Sequence, residues 1–420
     1  MSLPPLIRLL QENPIAVTGL GCYSAAGDSV PDLWENAAAG RSAAAWRNFD
    51  GLDGNARFAV ASAPDIALSR AKLRPVQRAD RAVQMAWMAA GQAWQQAGLS
   101  NAYPPERVGV AIGSSRGPIG KVCDSLGFLA GKKYPPSFGP DSTFACLSGA
   151  LAQSLNLKGP GATFSATCAS AAFAIGYAAE QILLGKADAM LVGGSEAPLH
   201  PVVLAQLQAA GVLGFHEDAT LACRPFDQAR NGIVLGEGSG FLVLESMAGI
   251  SKRGVEPLAR LAGWATGLDK CGRTGVDETG SGLLRLMREA LQVAEMSAGQ
   301  VDYINAHGTG TLLNDQAEAR AVHELLGERA AEVPCSSTKP VTGHCLGATP
   351  ALEAILCVEA LRHQIIPPTA TCREQDPLCP IHVQPLVSRP ANISTILSNS
   401  LGFWGYHAVL VFSKDYSGLT

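Results

Sequence analysis

The chain has 420 residues, of which 47% are hydrophobic and only 16% are charged, and 45 of them are glycines. This length exceeds the size at which one hydrophobic core usually stops growing, so we expect a large α/β protein with two packed halves. A formal net charge of −4 gives no overall attraction to nucleic acid or to an anionic membrane, and neither is an expected partner. The start of the chain lacks the pattern of a secretory signal, and no apolar run approaches about 18 residues, so the cytoplasm is the expected location.

Hydrophobic patterns in the first 250 residues predict buried strands bounded by glycines and one long amphipathic helix. The predicted strands are Ile15–Gly21, Val108–Gly113, Ala187–Gly194 and Gly240–Glu245, and the helix is Arg81–Ala97. A polar break follows at Ser251–Glu256. The break suggests two domains, one over residues 12–250 and the other over residues 251–415.

The second part of the chain continues the alternation of strands and helices. Its predicted helices are Ser281–Glu295, Asp315–Leu326 and Ala348–His363, and its predicted strands are Val301–Ala306 and Ala408–Phe412. Alternating strands and helices are typical of βαβ units, so we expect a mostly parallel sheet.

The cysteines suggest neither a disulfide framework nor a zinc site. The 11 cysteines are scattered and include no C-x-x-C pair. The best metal candidate is the pair His344 and Cys345 with Cys335 and Cys357 nearby, and its spacing matches no common zinc pattern. We therefore predict no metal.

One cysteine lies where a β-like run meets an Ala-rich helical pattern, in "FSATCASAAFAIGYAAEQILLG" from Phe164 to Gly185. A lone cysteine in an apolar setting is most often inert packing. A helix that starts just after Thr167 would put Cys168 in its first turn, where unpaired N–H groups and the positive end of the dipole stabilise a thiolate. Such a turn also aims backbone N–H groups at the carbonyl under attack. Cys168 is therefore a candidate nucleophile.

Two histidines occupy comparable positions. His307, in "NAHGTGT", follows a predicted strand, and His344, in "SSTKPVTGHCLGA", precedes a predicted helix. Each alone is more often a structural histidine. Together with Cys168, at strand ends or helix starts and flanked by small residues, they form a candidate catalytic constellation.

At these motifs the sequence resembles the elongating β-ketoacyl-[acyl-carrier-protein] synthases, condensing enzymes of the thiolase-like superfamily. The resemblance runs from "AVTGLGCYSAAGDS" at Ala16 to "LSNSLGFWGYHAVLVF" at Leu397 and includes "ATCASA" around Cys168 and "RPFDQARNGIVLGEGSG" at Arg224. It implies an α/β, thiolase-like fold in which two pseudo-equivalent βαβ halves form an α-β-α-β-α layered architecture.

The resemblance also implies an activity. An acyl thioester held on Cys168 would condense with malonyl-carrier protein to give a 3-oxoacyl-carrier protein and CO2. The implied roles are nucleophile for Cys168, enolate donors for His307 and His344, a supporting polar pair for Lys339 and Glu353, pantetheine contacts for Thr309 and Thr311, and backbone oxyanion donors for Cys168 and Phe403.

The implied partners follow from the same family. Substrates would arrive on the phosphopantetheine of an acyl carrier protein, with no other cofactor. The chain would form a homodimer, or a heterodimer with a related ketosynthase-like subunit. Because a carrier protein is acidic, we predict that a basic segment docks it, formed by Arg70, Lys72, Arg74 and Arg78 and leading to Arg81, with only Asp80 opposing them. An ordinary solvated helix start is the alternative interpretation.

One loop departs from the family pattern, which usually reads Gly-Phe-Gly-Gly-Thr-Asn. Here the gating loop reads Gly402, Phe403, Trp404, Gly405, Tyr406 and His407. A tryptophan in place of glycine removes freedom at positive φ and adds bulk, which should stiffen the loop or reshape the acyl entrance. Residues 133–141 also look shortened. We predict a specialised synthase for a fatty-acid, polyene or polyketide chain; lineage drift with local compensation is the alternative.

Three other functions stay open from the sequence. A thiolase-type acyltransferase would use a second cysteine as base, whereas this chain pairs two histidines with the "HGTGT" motif. A chain-length-factor-like subunit, non-catalytic or dependent on its partner, typically lacks the nucleophile. A plain apolar binding module leaves the joint presence of Cys168, His307, His344 and Lys339 unexplained.

Overall fold

A computed structural model describes residues 5–50, 56–66, 76–128, 131–273 and 275–414. Its strands are β1 Ile15–Ser24, β2 Ala45–Phe49, β3 Ala56–Ala61, β4 Val108–Gly113, β5 Gly161–Phe164, β6 Ala189–Glu196, β7 Leu235–Gly236, β8 Gly238–Ser246, β9 Ala259–Leu268, β10 Tyr303–Asn305, β11 Pro334–Ser336, β12 Ile365–Ile366, β13 His382–Val383, β14 Arg389–Pro390, β15 Thr395–Leu401 and β16 Tyr406–Ser413.

The α-helices of these described ranges alternate with the strands. They are α1 Pro5–Glu12, α2 Val30–Ala38, α3 Arg81–Ala97, α4 Ile119–Asp124, α5 Phe138–Asp141, α6 Ala145–Leu155, α7 Ser170–Leu183, α8 Pro201–Ala209, α9 Met247–Arg253, α10 Ser281–Val293, α11 Leu312–Leu326, α12 Lys339–Thr342 and α13 Thr349–His363.

Eleven of the strands form one sheet, in the order β13-β11-β10-β15-β16-β9-β1-β8-β6-β4-β5. The two halves of this sheet share one pattern, in which parallel pairs of strands are followed by two antiparallel pairs. One half runs β5-β4-β6-β8-β1, and the other runs β13-β11-β10-β15-β16-β9. The halves join where Ile15, Ala16 and Val17 of β1 pair with β9. This matched topology is the pair of equivalent halves that the thiolase-like resemblance implies.

The expectation of a mostly parallel sheet was wrong. Half of the pairings in this sheet are antiparallel, including β15 with β16 and both pairings of β8. The reason is visible between β15 and β16, where residues 402–405 connect the strands directly. So short a connection can only reverse the chain, whereas a parallel pair needs a long crossover.

The helices complete a five-layer sandwich. Helix α3 packs on β1 and β8, and α10 packs on β9 and β16, so these two helices lie in the outer layers. Helices α7 and α13 contact each other and strands from both halves, which places them in the middle layer. Helix α13 is buried on every side from Thr349 to Leu361, as expected for a helix between two sheet layers.

Helix α3 begins and ends at the predicted residues, and a capping residue is present at each end. The Asp80 carboxylate accepts the Ala82 N–H, and Gly98 ends the helix in the left-handed conformation with φ of 62°. Several other element boundaries differ from the prediction. Helix α11 begins at Leu312 rather than Asp315, and the predicted polar break opens inside α9, which continues to Arg253 before Gly254 ends it.

The basic segment lies mostly outside the described residues. Arg70, Lys72 and Arg74 fall there, and Arg78 is exposed. Arg81 already has partners within the fold, since its guanidinium lies 2.8 Å from Glu237 Oε1 and also donates to the Ala63 carbonyl.

Within the ranges given above, no helix combines the length and apolar character needed to cross a bilayer.

Candidate active site

The candidate nucleophile lies on a tight turn between β5 and α7. Helix α7 begins at Ser170, so the prediction that Cys168 occupies its first turn was wrong by two residues. The Ser170 hydroxyl explains the later start, because it donates to the Thr167 carbonyl at 2.6 Å and accepts the Ala166 N–H at 2.9 Å. These bonds hold Thr167 at φ of 49°, a left-handed conformation that costs a β-branched residue energy and marks a constrained site.

The thiol opens into a cavity that also receives both histidines. Cys168 is 7% exposed and lines a cavity of 450 Å³ together with His307 and His344. Thr309, Thr311 and Phe403 line the same space. The structure therefore brings the predicted nucleophile, the two histidines predicted to donate to the enolate and the predicted pantetheine contacts to one cavity.

His307 is oriented by a buried lysine. The Lys339 Nζ atom lies 3.4 Å from His307 Nδ1, donates to the His307 carbonyl, and lies 2.7 Å from Glu353 Oε1. An ammonium group has donors only, so Nδ1 of His307 must accept. The imidazole then carries its hydrogen on Nε2, the tautomer that can donate to a substrate oxygen.

His344 has a hydroxyl as its partner. Its Nδ1 lies 3.0 Å from the Thr349 hydroxyl at the start of α13. The two imidazole rings are nearly perpendicular, with centroids 5.5 Å apart and an interplanar angle of 81°. Both rings can therefore approach one small oxygen from different directions.

Burial and the Lys339 charge set the protonation states. Burial, with the Lys339 cation as a second cause, lowers the pKa of both His307 and His344 well below 6.5. Both imidazoles are neutral near pH 7. Burial also raises the pKa of the Glu353 carboxyl to about 7, against the opposing effect of Lys339.

The Cys168 thiol differs from the thiolate expected from the sequence. Burial raises its pKa to about 12, while the Lys339 and Arg116 cations act in the opposite direction. The resting group is therefore a protonated thiol. Its reaction requires that the proton leave as the new bond to sulfur forms.

Two buried carboxylates that sequence analysis did not identify support the histidine loop. Glu318 accepts the N–H groups of His307 and Gly308, each at 2.8 Å, and an amide hydrogen of Asn399. Asp315 accepts the Thr309 N–H at 3.0 Å. The signal was present in the sequence, since both acids follow "HGTGT" one helical turn apart and so face the loop from one side of α11.

The family models identify this arrangement. The model "Beta-ketoacyl synthase, N-terminal domain" matches residues 12–248, and "Beta-ketoacyl synthase, C-terminal domain" matches residues 258–373. The chain belongs to the β-ketoacyl synthase family. It is a β-ketoacyl-[acyl-carrier-protein] synthase, an enzyme that condenses acyl thioesters with loss of CO2.

Individual relatives agree over almost the whole chain. A 3-oxoacyl-[acyl-carrier-protein] synthase 2 from Coxiella burnetii is 34% identical over 97% of this chain and 100% of its own length. A type II polyketide ketosynthase, solved in complex with its acyl-carrier protein and bound to the hexaketide, superposes with a TM-score of 0.86 at 29% identity over 96% of this chain and 99% of that one. The ishigamide ketosynthase/chain length factor superposes with a TM-score of 0.86 at 31% identity over 96% and 99%.

The loop at residues 402–407, which the sequence predicts to be a gating loop, contradicts one expectation. Trp404 does not avoid positive φ: it adopts φ of 61°, and the residue is 58% exposed. The Arg273 guanidinium lies 5.7 Å from the Trp404 ring centroid, and the Arg273 carbonyl accepts the Trp404 N–H. These contacts with Arg273 accompany a conformation that glycine would adopt without strain.

The end of the same loop is buried. His407 is 2% exposed, with Nε2 3.7 Å from Asp269 Oδ2, and burial lowers its pKa. Gly402 packs so tightly against Thr167 that an added Cβ would overlap the Thr167 hydroxyl oxygen. The loop at residues 402–407 and the turn that carries Cys168 are therefore in direct contact.

The cavity of this synthase contains a single cysteine among the residues that line it. The neighbour of His344, Cys345, directs its thiol to the Thr342 carbonyl instead. That position does not suit the second, basic cysteine of a thiolase. Among the described residues, no group of three or more His, Cys, Asp or Glu side chains is placed to hold a metal ion.

Proposed function

We propose that this synthase carries out a two-step condensation in which Cys168 holds the acyl group and His307 and His344 stabilise the enolate. The observation that carries the proposal is the meeting of the thiol and two neutral imidazoles in one cavity. In the first step a bond forms between Cys168 Sγ and the acyl carbon, and the bond between that carbon and the carrier sulfur breaks. The thiol proton passes through one of the imidazoles to the departing carrier thiolate, so the charge balances.

In the second step a malonyl-carrier thioester loses CO2. The electron pair of the breaking carbon–carbon bond forms an enolate, whose oxygen accepts hydrogen bonds from the Nε2–H groups of His307 and His344. The enolate carbon then attacks the acyl carbonyl on Cys168. The backbone N–H groups of Cys168 and Phe403 would stabilise the resulting oxyanion, the bond between the acyl carbon and Cys168 Sγ breaks as the product forms, and the departing thiolate takes a proton from solvent to restore the resting thiol.

Lys339 and Glu353 act as a positioning pair in this scheme. Lys339 fixes the tautomer of His307, and Glu353 supplies the counter-charge that a buried ammonium requires. Thr309 and Thr311 lie in the cavity with hydroxyl oxygens 2.8 Å apart, which suits contacts with the amides of a pantetheine arm. The phosphopantetheine of an acyl carrier protein would deliver both substrates, as the carrier complex of the polyketide relative supports.

A second subunit would cover the free edge of the first half. Strand β5 is the last strand of the sheet, and its residues are exposed or partly exposed. Val122, Leu126 and Phe144 are exposed apolar side chains in the chain segment between β4 and β5. An identical chain, or a related ketosynthase-like chain as in the ishigamide relative, would bury this edge. Light scattering on the protein expressed alone separates the two, because a heterodimer subunit would not give the mass of a homodimer.

The acyl chain and the docking segment complete the proposal. Trp404 at the gate supports a specialised fatty-acid, polyene or polyketide chain, and equal rates with every ordinary saturated chain would contradict that.

The acidic carrier would dock on the basic segment formed by Arg70, Lys72, Arg74 and Arg78. Charge reversal at Arg70 and Arg74 should raise the Michaelis constant for carrier-bound substrate while leaving that for a pantetheine thioester unchanged.

Separate assays of the two half-reactions test the roles of the site residues. His307→Ala should keep loading acyl groups onto Cys168 but release CO2 from malonyl-carrier protein at least about 100-fold more slowly, the usual cost of removing one oxyanion donor. Cys168→Ala should lose loading and keep CO2 release. If both variants lose both half-reactions equally while remaining folded, this division of roles is wrong.

A further inference from the structure

The wall of the catalytic cavity contains a polar side chain that the proposed function does not use. Asn314, in the first turn of α11, lines the cavity together with Thr309 and Thr311, and the residue is only 7% exposed. The two residues before it, Leu312 and Leu313, line the same space and are apolar. The Asn314 amide is therefore an isolated polar group on this part of the wall.

The next residue fixes the orientation of the Asn314 amide. Asp315 Oδ1 accepts the N–H groups of Thr309 at 3.0 Å and Gly310 at 3.3 Å, and the Asp315 carboxylate lies 3.5 Å from the buried Arg230 guanidinium. A carboxylate in these surroundings accepts hydrogen bonds, so Asn314 must present its NH2 group to it. Asn314 Nδ2 lies 3.1 Å from Asp315 Oδ1, and the carboxamide oxygen is the end of the amide that remains free.

Asn314 Oδ1 has no partner of its own. Among the residues that the structure describes, no donor bonds to this oxygen, and the atom is not fully enclosed by protein. An oxygen that loses its contact with water and gains no donor in return is unfavourable. A ligand that fills the cavity should therefore bring an N–H or O–H group to Asn314.

The Thr311 hydroxyl is an acceptor for a related reason. The Thr309 hydroxyl donates its single hydrogen to Asp315 Oδ1 at 3.4 Å. The hydroxyl oxygens of Thr309 and Thr311 lie 2.8 Å apart, so the hydrogen between them comes from Thr311. Thr311 Oγ1 can then offer only lone pairs to a ligand. Through these bonds Asp315 gives one wall of the cavity two acceptors, Asn314 Oδ1 and Thr311 Oγ1.

We propose that Asn314 Oδ1 accepts an amide N–H of the pantetheine arm, so that this synthase recognises the arm by its N–H donors rather than by its carbonyl oxygens. The inference rests on the proposed function, in which that arm enters the cavity. A pantetheine arm contains two secondary amides, and an apolar wall would leave both N–H groups unpaired. The two acceptors match these two donors, and Asn314 supplies the one that the sequence did not predict.

The experiment measures acyl loading of the full-length protein by three hexanoyl thioesters of equal length. One is the pantetheine thioester, and in each of two analogues a different amide N–H is replaced by an ester oxygen. The replacement keeps the length and the carbonyl group and removes one donor. Intact mass against time gives kcat/KM for loading. We expect at least one analogue to load about 5- to 100-fold more slowly than the pantetheine thioester, the usual cost of leaving a buried polar group unpaired.

Asn314→Leu keeps the size of the side chain and removes its acceptor. This variant should load the pantetheine thioester about as slowly as wild type loads the sensitive analogue, and it should no longer distinguish those two donors. Asn314→Ala makes the same comparison if Asn314→Leu does not fold. The matched control is Asn48→Leu, at an exposed position of β2, which should match wild type with all three donors.

Three results would overturn the inference. Wild type could load both analogues as fast as the pantetheine thioester, or both Asn314 variants could keep the wild-type ratio between donors. An equal loss for all three donors, with the wild-type ratio kept, would assign Asn314 to folding instead of recognition. Wild type that loads no thioester of pantetheine or of a carrier protein would contradict the proposed function itself, which is a distinguishable outcome.

Discussion

The Lys339 ammonium lies 3.4 Å from Nδ1 of His307 and is itself paired with Glu353 at 2.7 Å, so a buried ion pair and the tautomer of His307 depend on one side chain. Lys339→Met should slow CO2 release from malonyl-carrier protein about 100-fold, because His307 loses the partner that keeps its hydrogen on Nε2. The rate of CO2 release measures this effect.

The same variant should lose about 3–5 kcal/mol of stability, because Glu353 would be left buried without a counter-charge. The double variant Lys339→Met with Glu353→Leu removes both charges and should recover much of that stability in urea unfolding. It should not recover CO2 release. A double variant with restored catalysis would show that Lys339 matters only for folding.

The alkylation rate of Cys168 should depend on pH in a way that reports its raised pKa. With a pKa of about 12, the thiolate is the minor form at neutral pH and increases about tenfold with each pH unit. The rate of reaction with iodoacetamide at the Cys168 peptide, followed by mass spectrometry, should therefore rise continuously from pH 7 to pH 10. A plateau below pH 8 would mean that the site stabilises the thiolate after all.

Glu318→Gln should impair the histidine loop without unfolding the protein. A glutamine amide offers one acceptor oxygen where the carboxylate offers two, so the His307 and Gly308 N–H groups cannot both keep their bonds. We expect kcat for CO2 release to fall about tenfold with little change in KM. The control is Glu324→Gln, an exposed position on the same helix, which should match wild type. Equal effects of the two substitutions would contradict the positioning role.

Gly402→Ala should disturb the contact between gate and nucleophile. An added Cβ would overlap the Thr167 hydroxyl, so Thr167 or the gating loop must shift and move Cys168. We expect acyl loading to slow at least about tenfold. Gly149→Ala in α6 is the control: its Cβ would meet no atom within 4 Å, and alanine there should add about 0.5–1 kcal/mol of stability. A normal rate of acyl loading by Gly402→Ala would show that the contact between the loop and Thr167 does not position Cys168.

Local signals in the sequence predicted much of this fold. The caps at Asp80 and Gly98 set both ends of α3, and uninterrupted apolar runs identified β4 and β6. Strand direction was not predictable in this way, because parallel and antiparallel buried strands share the same apolar composition. The start of α7 was misplaced because the Ser170 hydroxyl bonds to the turn before it, a tertiary choice that helix propensity does not encode.

The residues of the candidate site also fall into two groups, those that the sequence predicted and those that it did not. Cys168, His307 and His344 stand beside glycines or other small residues, and the family resemblance gave each a role. Glu318 lies outside the quoted family motifs, and although its spacing after "HGTGT" places it on the side of α11 that faces the loop, its role depends on hydrogen bonds to the His307 and Gly308 N–H groups. Only the structure brings those partners together.

Covalent loading of Cys168 is the most direct test of the account. The full-length protein would be incubated with acyl-carrier thioesters, and its intact mass and Cys168 peptide measured beside Cys168→Ala. We predict one acyl increment per chain, located on the Cys168 peptide among the 11 cysteines and absent from the variant. No increment with any saturated, polyunsaturated, aromatic or oxygenated donor, or an increment that persists in Cys168→Ala, would contradict the assignment of Cys168 as the nucleophile.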